Sequence, residues 1–469
     1  MAFISAIARP CASSQVFQSS FAWVVGGLFI SLVCLPPNIV TNSIMASFFS
    51  EDLSTAKHRE AKQRFLEEYP KAFERLSSPF RNFLAKGHVK EEIADIPKNA
   101  QGKAPYDNDQ VPWENVAKIA KDKLNADFTF YFEGESVQFE LCYAANMVDS
   151  FHPSKRVRCT TPSYYFVLEK QTGSKEYVIV QHTAEKEFVK KAHVITDVQA
   201  KFYAEAAFNM YGTPGNLLLS EKDCKIDSIR YVDAENENMV AVEFTGLSKD
   251  FWYKRGRAVF DSSRNWALTE YELHEEFPDP YGRTMLCKVE YGDWNSNQLV
   301  FPKKVDRQEV YTTSGKATQL RHEVATFTVA NPDVVPKGQF SLSAYGLPDI
   351  PPTGQPSSLN NSLSGLVLDM SSNDIGQVLP EEKRAVRFLF HNRTAKPIRI
   401  IGAEQTCGPD GCNEFLGLPV EIAPQSDAEV EVSFTPPSRE GDFSKQFTVF
   451  SDCSDRPHID LTIRGTVRK

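Results

Sequence analysis

The residues best equipped for chemistry in this 469-residue chain are its nine cysteines, its nine histidines and a few clustered carboxylates. The cysteines stand at 11, 34, 142, 159, 224, 287, 407, 412 and 453. Cys11 and Cys34 fall near the N-terminus, and the other seven are an odd number, so at least one thiol stays unpaired within the chain. Cys407 and Cys412 enclose Gly408-Pro409-Asp410-Gly411, a turn-forming insert that lets two strand ends approach within disulfide distance. A metal site would need further ligands at suitable spacing, and only Cys453 with His458 lies near. A Cys407–Cys412 disulfide is therefore expected, with Cys453 as the odd thiol or a competing partner.

The histidines are scattered singly, which suits surface or satisfied core positions better than metal ligation. His274-Glu275-Glu276 with Asp306 has the residue types of an acid/base set, yet charges on the wet face of a strand are ordinary solvation. There is no Gly-x-Ser-x-Gly nucleophile elbow, no His-Glu-x-x-His and no phosphate-binding Gly-rich loop ending in Lys-Ser or Lys-Thr. The aromatic groups Tyr164-Tyr165 and Phe251-Trp252-Tyr253 could stack a sugar or an apolar ligand, with core packing as the simpler role. The expectation is a protein without catalytic residues, resident metal or cofactor. A net charge of −9 and the lack of a basic patch argue against nucleic-acid binding.

Between Arg9 and Glu51 there is no charged residue, and Phe21–Leu35 is an apolar run of 15 residues ended by Pro36-Pro37. That length suits the hydrophobic part of a signal peptide, and retention as a membrane anchor is the alternative. Residues 1–46 are thus expected to direct export.

Residues 55–86 place Phe65, Leu66, Tyr69, Phe73, Leu76, Phe80 and Phe83 at three- and four-residue steps, predicting an amphipathic helix bent at Pro70 and Pro79. A loop is expected over 86–111 and a short helix over 113–124, so that 50–125 forms a helical lead-in. From Phe128 the period becomes two, and strands separated by turn residues continue to about residue 330. Tyr271 and Leu273 share one face of a strand opposite Glu270, Glu272 and His274; in the next strand Met285 and Val289 oppose Lys288 and Glu290. This alternation describes an antiparallel sheet with one dry and one wet face. A helical insert over 197–210 has the composition to cover part of the dry face. Prolines at 332, 336, 348, 351, 352 and 356 mark 331–364 as an extended linker.

A meandering antiparallel sheet after an N-terminal helix, with Gly256-Arg-Ala-Val-Phe-Asp261, Trp266-Ala-Leu-Thr-Glu-Tyr-Glu-Leu273 and Phe301-Pro-Lys-Lys-Val-Asp306, resembles the half-barrel of outer-membrane lipoprotein-sorting and lipoprotein-carrier proteins. The resemblance, over the sheet assigned to 126–330, implies an apolar cavity for a lipid, an acyl group or a lipoprotein. Tyr271, Leu273, Met285 and Val289 are its expected lining. The helices available to cover about ten strands look too few to close the dry face.

Residues 365–469 carry about seven short strands, with clean alternation in Ala428-Glu-Val-Glu-Val-Ser-Phe434, which predicts a β-sandwich. Phe388-Leu-Phe-His-Asn-Arg393, Thr406-Cys-Gly408 with Cys412, Val432-Ser-Phe-Thr-Pro436 and Leu461-Thr-Ile-Arg-Gly-Thr-Val467 resemble a cysteine-containing, immunoglobulin-like family of unknown function from bacterial envelope proteins. Its members usually show Cys-Gly-Cys where this chain has Cys407-Gly-Pro-Asp-Gly-Cys412, so no role of an adjacent cysteine pair carries over. The resemblance implies an extracytoplasmic module that docks an envelope protein partner. Together these readings expect a mainly β, exported, periplasmic or membrane-anchored envelope protein: a half-barrel-like sheet, then an immunoglobulin-like sandwich. Its function is either lipid or lipoprotein binding in the half-barrel, or scaffolding around a closed central core.

Overall fold

The structure, a computed structural model, describes residues 37–468 apart from 97–119, 149–152, 191–202, 211–212, 248–252, 277–280, 295–298, 354–364 and a few single positions. Of the expected leader, residues 1–36 lie outside the described residues. No helix among the described residues is long and apolar enough to cross a membrane. Residues 56–469 form one compact unit.

Helix α1 (Pro37–Ser77) contains Pro70 and ends in a 3-10 turn carrying Pro79. From Ala61 onward it buries Ala61, Phe65, Tyr69, Ala72 and Leu76, a single stripe at helical spacing. Two corrections follow immediately in the chain. The expected loop after residue 86 is strand β1 (Asn82–Asp95), and Lys121–Leu124 of the expected short helix open strand β2 (Lys121–Glu133). In β1 the small apolar residues Ala85 and Val89 alternate with Lys86, His88 and Lys90, a strand pattern masked by its charges.

The sheet continues through β3 (Ser136–Tyr143), β4 (Lys155–Thr160), β5 (Tyr165–Lys170) and β6 (Val178–Thr183). After a small hairpin, β7 (Asn209–Met210) with β8 (Thr213–Pro214), come β9 (Cys224–Asp233), β10 (Asn236–Gly246), β11 (Arg255–Asp261), β12 (Ala267–Glu276), β13 (Tyr281–Tyr291), β14 (Pro302–Thr313) and β15 (Lys316–Pro332). Each strand of β1–β6 pairs antiparallel with the next, as does each of β9–β15. The two runs join where β1 pairs with β15. The result is the expected half-barrel-like sheet.

Its inner face is covered from far away in sequence. Phe65 and Tyr69 of α1 pack on Phe260 with ring centroids 5.2 and 4.8 Å apart, and Trp266 Nε1 donates to Glu68 at 2.8 Å. The insert contributes Tyr203 over Phe128, at 5.9 Å, and Phe208 against Phe73, at 5.6 Å. Within this insert Tyr203 is helical, as expected, but residues 204–208 form turns and 209–210 a strand, so the expected helix does not run on to residue 210; 197–202 lie outside the described residues. Successive turns suit a segment in which every residue from Tyr203 to Met210 is buried, because a helix would turn half of them to solvent.

Beyond the linker, one layer of a two-sheet sandwich runs β16 (Leu366–Leu368), β18 (Arg384–Asn392), β23 (Asp427–Thr435), β21 (Gly411–Phe415) and β20 (Cys407–Gly408). The other runs β17 (Ser372–Val378), β25 (His458–Val467), β24 (Gly441–Ser451), β19 (Ile398–Ala403) and β22 (Val420–Ile422). An apolar core that includes Phe388, Phe390, Ile400, Val432, Phe434 and Leu461 fills the space between the layers.

The first half of the linker is packed rather than extended. Phe340, Leu342 and Leu347 are buried with Val157, Phe166 and Ile179 of the half-barrel and with Ile401 and Phe450 of the sandwich. Prolines fix backbone direction without forbidding burial, so a Pro-rich segment with well-spaced Phe and Leu can still bridge two β-structures. Tyr164 Oη donates to the Phe340 carbonyl at 2.7 Å, and Tyr345 Oη donates to Glu140. At the same seam Gly402 of β19 bridges to Ile179 of β6, where a Cβ on residue 402 would overlap the Ile179 backbone.

Candidate functional site

The inner face of the half-barrel holds both the expected cavity residues and the densest buried charge. Strand register sets its rows. Val289, Val305, Ala325 and Val89 lie side by side on β13, β14, β15 and β1, forming an apolar row. One step along the strands come Tyr271, Cys287, Arg307, Glu323 and Glu91, and after them Leu273, Met285, Glu309 and Arg321. Glu275, Arg283 and Tyr311 complete a third charged row. The face thus turns from apolar to ionic along its length.

Three guanidiniums and four carboxylates meet there. Arg307 reaches Glu323 at 2.7 Å and Glu309 at 3.4 Å. Arg321 reaches Glu91 at 3.0 Å and Glu323 at 3.3 Å, while Arg283 pairs with Glu275 and lies 3.5 Å from Glu309. Tyr311 Oη donates to Glu309 at 2.7 Å, and Tyr203 of the covering insert hydrogen-bonds Glu323. Arg307, Glu309 and Glu323 are at most 2% exposed. Burial opposes ionisation of Glu309, but Arg307, Arg321 and Arg283 outweigh it and hold its carboxyl below the usual range. At Glu91 burial wins over Arg321 and the carboxyl is pushed up. The set is close to self-neutralising, which is the condition for tolerating charge in a low-dielectric interior.

Tyr271, Leu273, Met285 and Val289 are all found on this face, buried to 1, 0, 1 and 6% exposure in one apolar cluster with Phe65, Tyr69 and Phe208 of the covering segments. Cys287, between Tyr271 and Arg307 in its row, has its thiol pushed up to about 12 by burial. It is therefore no thiolate nucleophile at neutral pH. The His274–Asp306 combination is not assembled. His274 pairs with Glu272 at 2.9 Å, whereas Asp306 takes His322 at 2.9 Å and Lys304 at 2.8 Å, two strands away on the wet face. Burial raises the Asp306 carboxyl, but its hydrogen bonds with His322 and Lys304 outweigh that and bring it to about 2. Tyr253 is buried, while Phe251 and Trp252 lie outside the described residues.

In the sandwich, Cys407 and Cys412 are disulfide-bonded, joining β20 to β21. Cys453 is a free, buried thiol. Residues 366–467 match a family model described as protein of unknown function (DUF1573). Among solved structures, a putative outer membrane lipoprotein-sorting protein domain from Vibrio parahaemolyticus is 6% identical, covers 60% of this chain and 98% of its own, and has a TM-score of 0.29. A PapD-like domain of human CEP192 is 10% identical over 26% of this chain and 99% of its own, TM-score 0.20. A protein of unknown function from Porphyromonas gingivalis W83 is 9% identical over 41% and 94%, TM-score 0.19. No curated protein matches the chain. None of these likenesses transfers a ligand or an activity.

The ionic network is the feature that reading the sequence missed. Charged residues in strands were assigned to the wet face, but Arg307 and Glu309 share the parity of Val305, and Arg321 and Glu323 share that of Ala325 and Phe327. Keeping the phase of the alternation across each whole strand would have placed them inside.

Proposed function

We propose that this chain is a non-enzymatic, exported envelope protein that acts as a scaffold: a half-barrel closed on its own segments, joined through a packed linker to a sandwich that meets an envelope protein partner. The observation that carries this reading is the inner face. Where an acyl chain would lie, Leu273 and Met285 are buried under the molecule's own segments and Met285 stands beside Glu309 in the strand register. Acyl binding draws on apolar contact at about 0.8 kcal/mol per buried methylene. A neighbouring ion network offers little of that contact, and opening the core would desolvate nothing in the lipid's favour. Lipid or lipoprotein binding, the other reading of a half-barrel, would require α1 and the 203–210 segment to leave. Outward-facing ion pairs such as Arg257–Glu270, 3.1 Å, support a solvated outer face.

Export is supported by the uncharged stretch between Arg9 and Glu51. Cell fractionation with N-terminal sequencing tests it; a full-length soluble cytoplasmic product contradicts it. The closed core is tested by titrating the full chain with a fluorescent fatty-acid probe. No saturable binding is expected, and one tight site per chain would restore the lipid-binding reading.

A further inference from the structure

At the seam between half-barrel and sandwich two imidazoles face in from opposite sides, His182 buried and His458 half-buried. His182 comes from β6 and is 3% exposed; His458 opens β25. Their rings rest on one aromatic cluster, His182 against Tyr164 and Phe166 with centroids at 5.7 and 6.3 Å, and His458 against Phe450 at 5.9 Å. Among the described residues His182 Nδ1 and His458 Nε2 have no hydrogen-bond partner, and both atoms are buried. The linker closes the seam: Thr353 donates its backbone N–H, 3.1 Å, and its hydroxyl, 2.9 Å, to the His182 carbonyl, and His458 hydrogen-bonds the Pro351 backbone. We propose that this seam is an acid-sensitive latch: proton uptake by His182 and His458 places charge in the shared apolar seam and separates the sandwich from the half-barrel.

The chemistry follows from what surrounds each ring. Facing His182 are the phenol of Tyr164, His458 across the seam and, from the linker, Asp349. Facing His458 are Asp460 of its own strand and the Pro351 carbonyl. Asp349 and Asp460 favour protonation, but burial outweighs them, and each ring is further disfavoured as a cation by any charge on its neighbour. Burial and then His458 bring His182 down to about 4, and burial lowers His458 as well. A group whose folded value is depressed holds its protons more tightly once released, so the latch is intact above the ordinary histidine value and weakens as pH falls from about 6.5 towards about 4. With His182 at about 4 when docked, its contribution alone weakens docking by at most about 30-fold at pH 5, the limit reached if release solvates the ring fully. Glu140 acts in the other direction. Burial raises its carboxyl despite Tyr345 and Lys155, so acid holds the linker to the half-barrel's outer face more firmly and directs the loss to the sandwich side.

The test is hydrogen exchange of the full chain from pH 7.5 to 4.5, corrected for the intrinsic pH dependence of exchange, with imidazole NMR titration of the same protein. Amides of β6 and β19 should lose protection between pH 6.5 and 4.5 while β13–β14 and β24–β25 keep theirs, and His182→Phe or His458→Phe should reduce the loss at least threefold. Unchanged seam protection, or loss undiminished in both variants, overturns the proposal. Should the variants fail to fold, the wild-type imidazoles decide: a His182 titration below pH 5 supports the latch, and one near 6.5 overturns it.

Discussion

The half-barrel and the sandwich solve the same problem, a sheet with one dry face, by opposite means. In the sandwich each sheet covers the other around an apolar core, and the charged side chain buried beside it, Lys445, stands alone in the phase of Phe443 and Phe447 rather than in a network. Buried amides appear at its margins: Asn392, fully buried, donates to the carbonyls of Lys396, Ile422 and Ala423 at 2.7, 2.9 and 3.1 Å and accepts from Thr394. Among the described residues the half-barrel is faced by no second sheet larger than the β7–β8 hairpin. Its dry face is covered by α1 and the 203–210 segment at one end, and at the other its own arginines and glutamates pair. Self-covering layers can fill the space between them with a mainly apolar core, whereas a single curved sheet uses a network of paired charge in part of its interior.

The strongest way to break this contrast is to remove one partner from the half-barrel network. Arg307→Met leaves Glu309 and Glu323 buried beside one fewer cation and is expected to destabilise the protein by about 3–5 kcal/mol in denaturant unfolding. A loss below about 1 kcal/mol would show that the charges are solvated and the interior open. In the sandwich, Asn392→Ala should cost about 3 kcal/mol, because it strands carbonyls at a turn rather than charges in a core. Thermal unfolding that matched the Arg307→Met loss would erase the distinction. Replacing Cys407 and Cys412 together by Ser opens a small loop at the sandwich edge, and the expected change is at most about 2 kcal/mol.

The smallest effect belongs to the wet face of the half-barrel. Asp306 is held at about 2 in the folded chain, below the ordinary aspartate value, so its contribution is present above pH 4 and is lost as pH falls from about 4 to about 2. Its partial exposure limits that contribution to about 1 kcal/mol. Asp306→Asn should flatten the stability profile in that window and leave stability above pH 6 lower by a similar amount; an unchanged acid limb would contradict the pairing.

Much of this architecture was legible in the sequence because it is local. Alternation in 266–277 and 428–434 marks strands directly, and Gly408-Pro409-Asp410-Gly411 places Cys407 opposite Cys412. What escaped is non-local. Strand β1 lies between β15 and β2, more than 200 residues of chain from one of its partners, and its Lys and Glu residues hide its period. The buried network was half hidden for a related reason: strand phase puts Arg307 inside, but nothing local shows that Glu323 on the neighbouring strand meets it there. Likewise nothing in the prolines of 332–352 reveals that Phe340 and Leu342 bury themselves between two other structures.

The central claim is that the half-barrel's interior is filled by its own side chains. Native mass spectrometry of the protein purified from its own cells without detergent tests it most directly. The account predicts the mass of the polypeptide alone. A stoichiometric extra mass that organic extraction identifies as one lipid or acyl chain per molecule would contradict it.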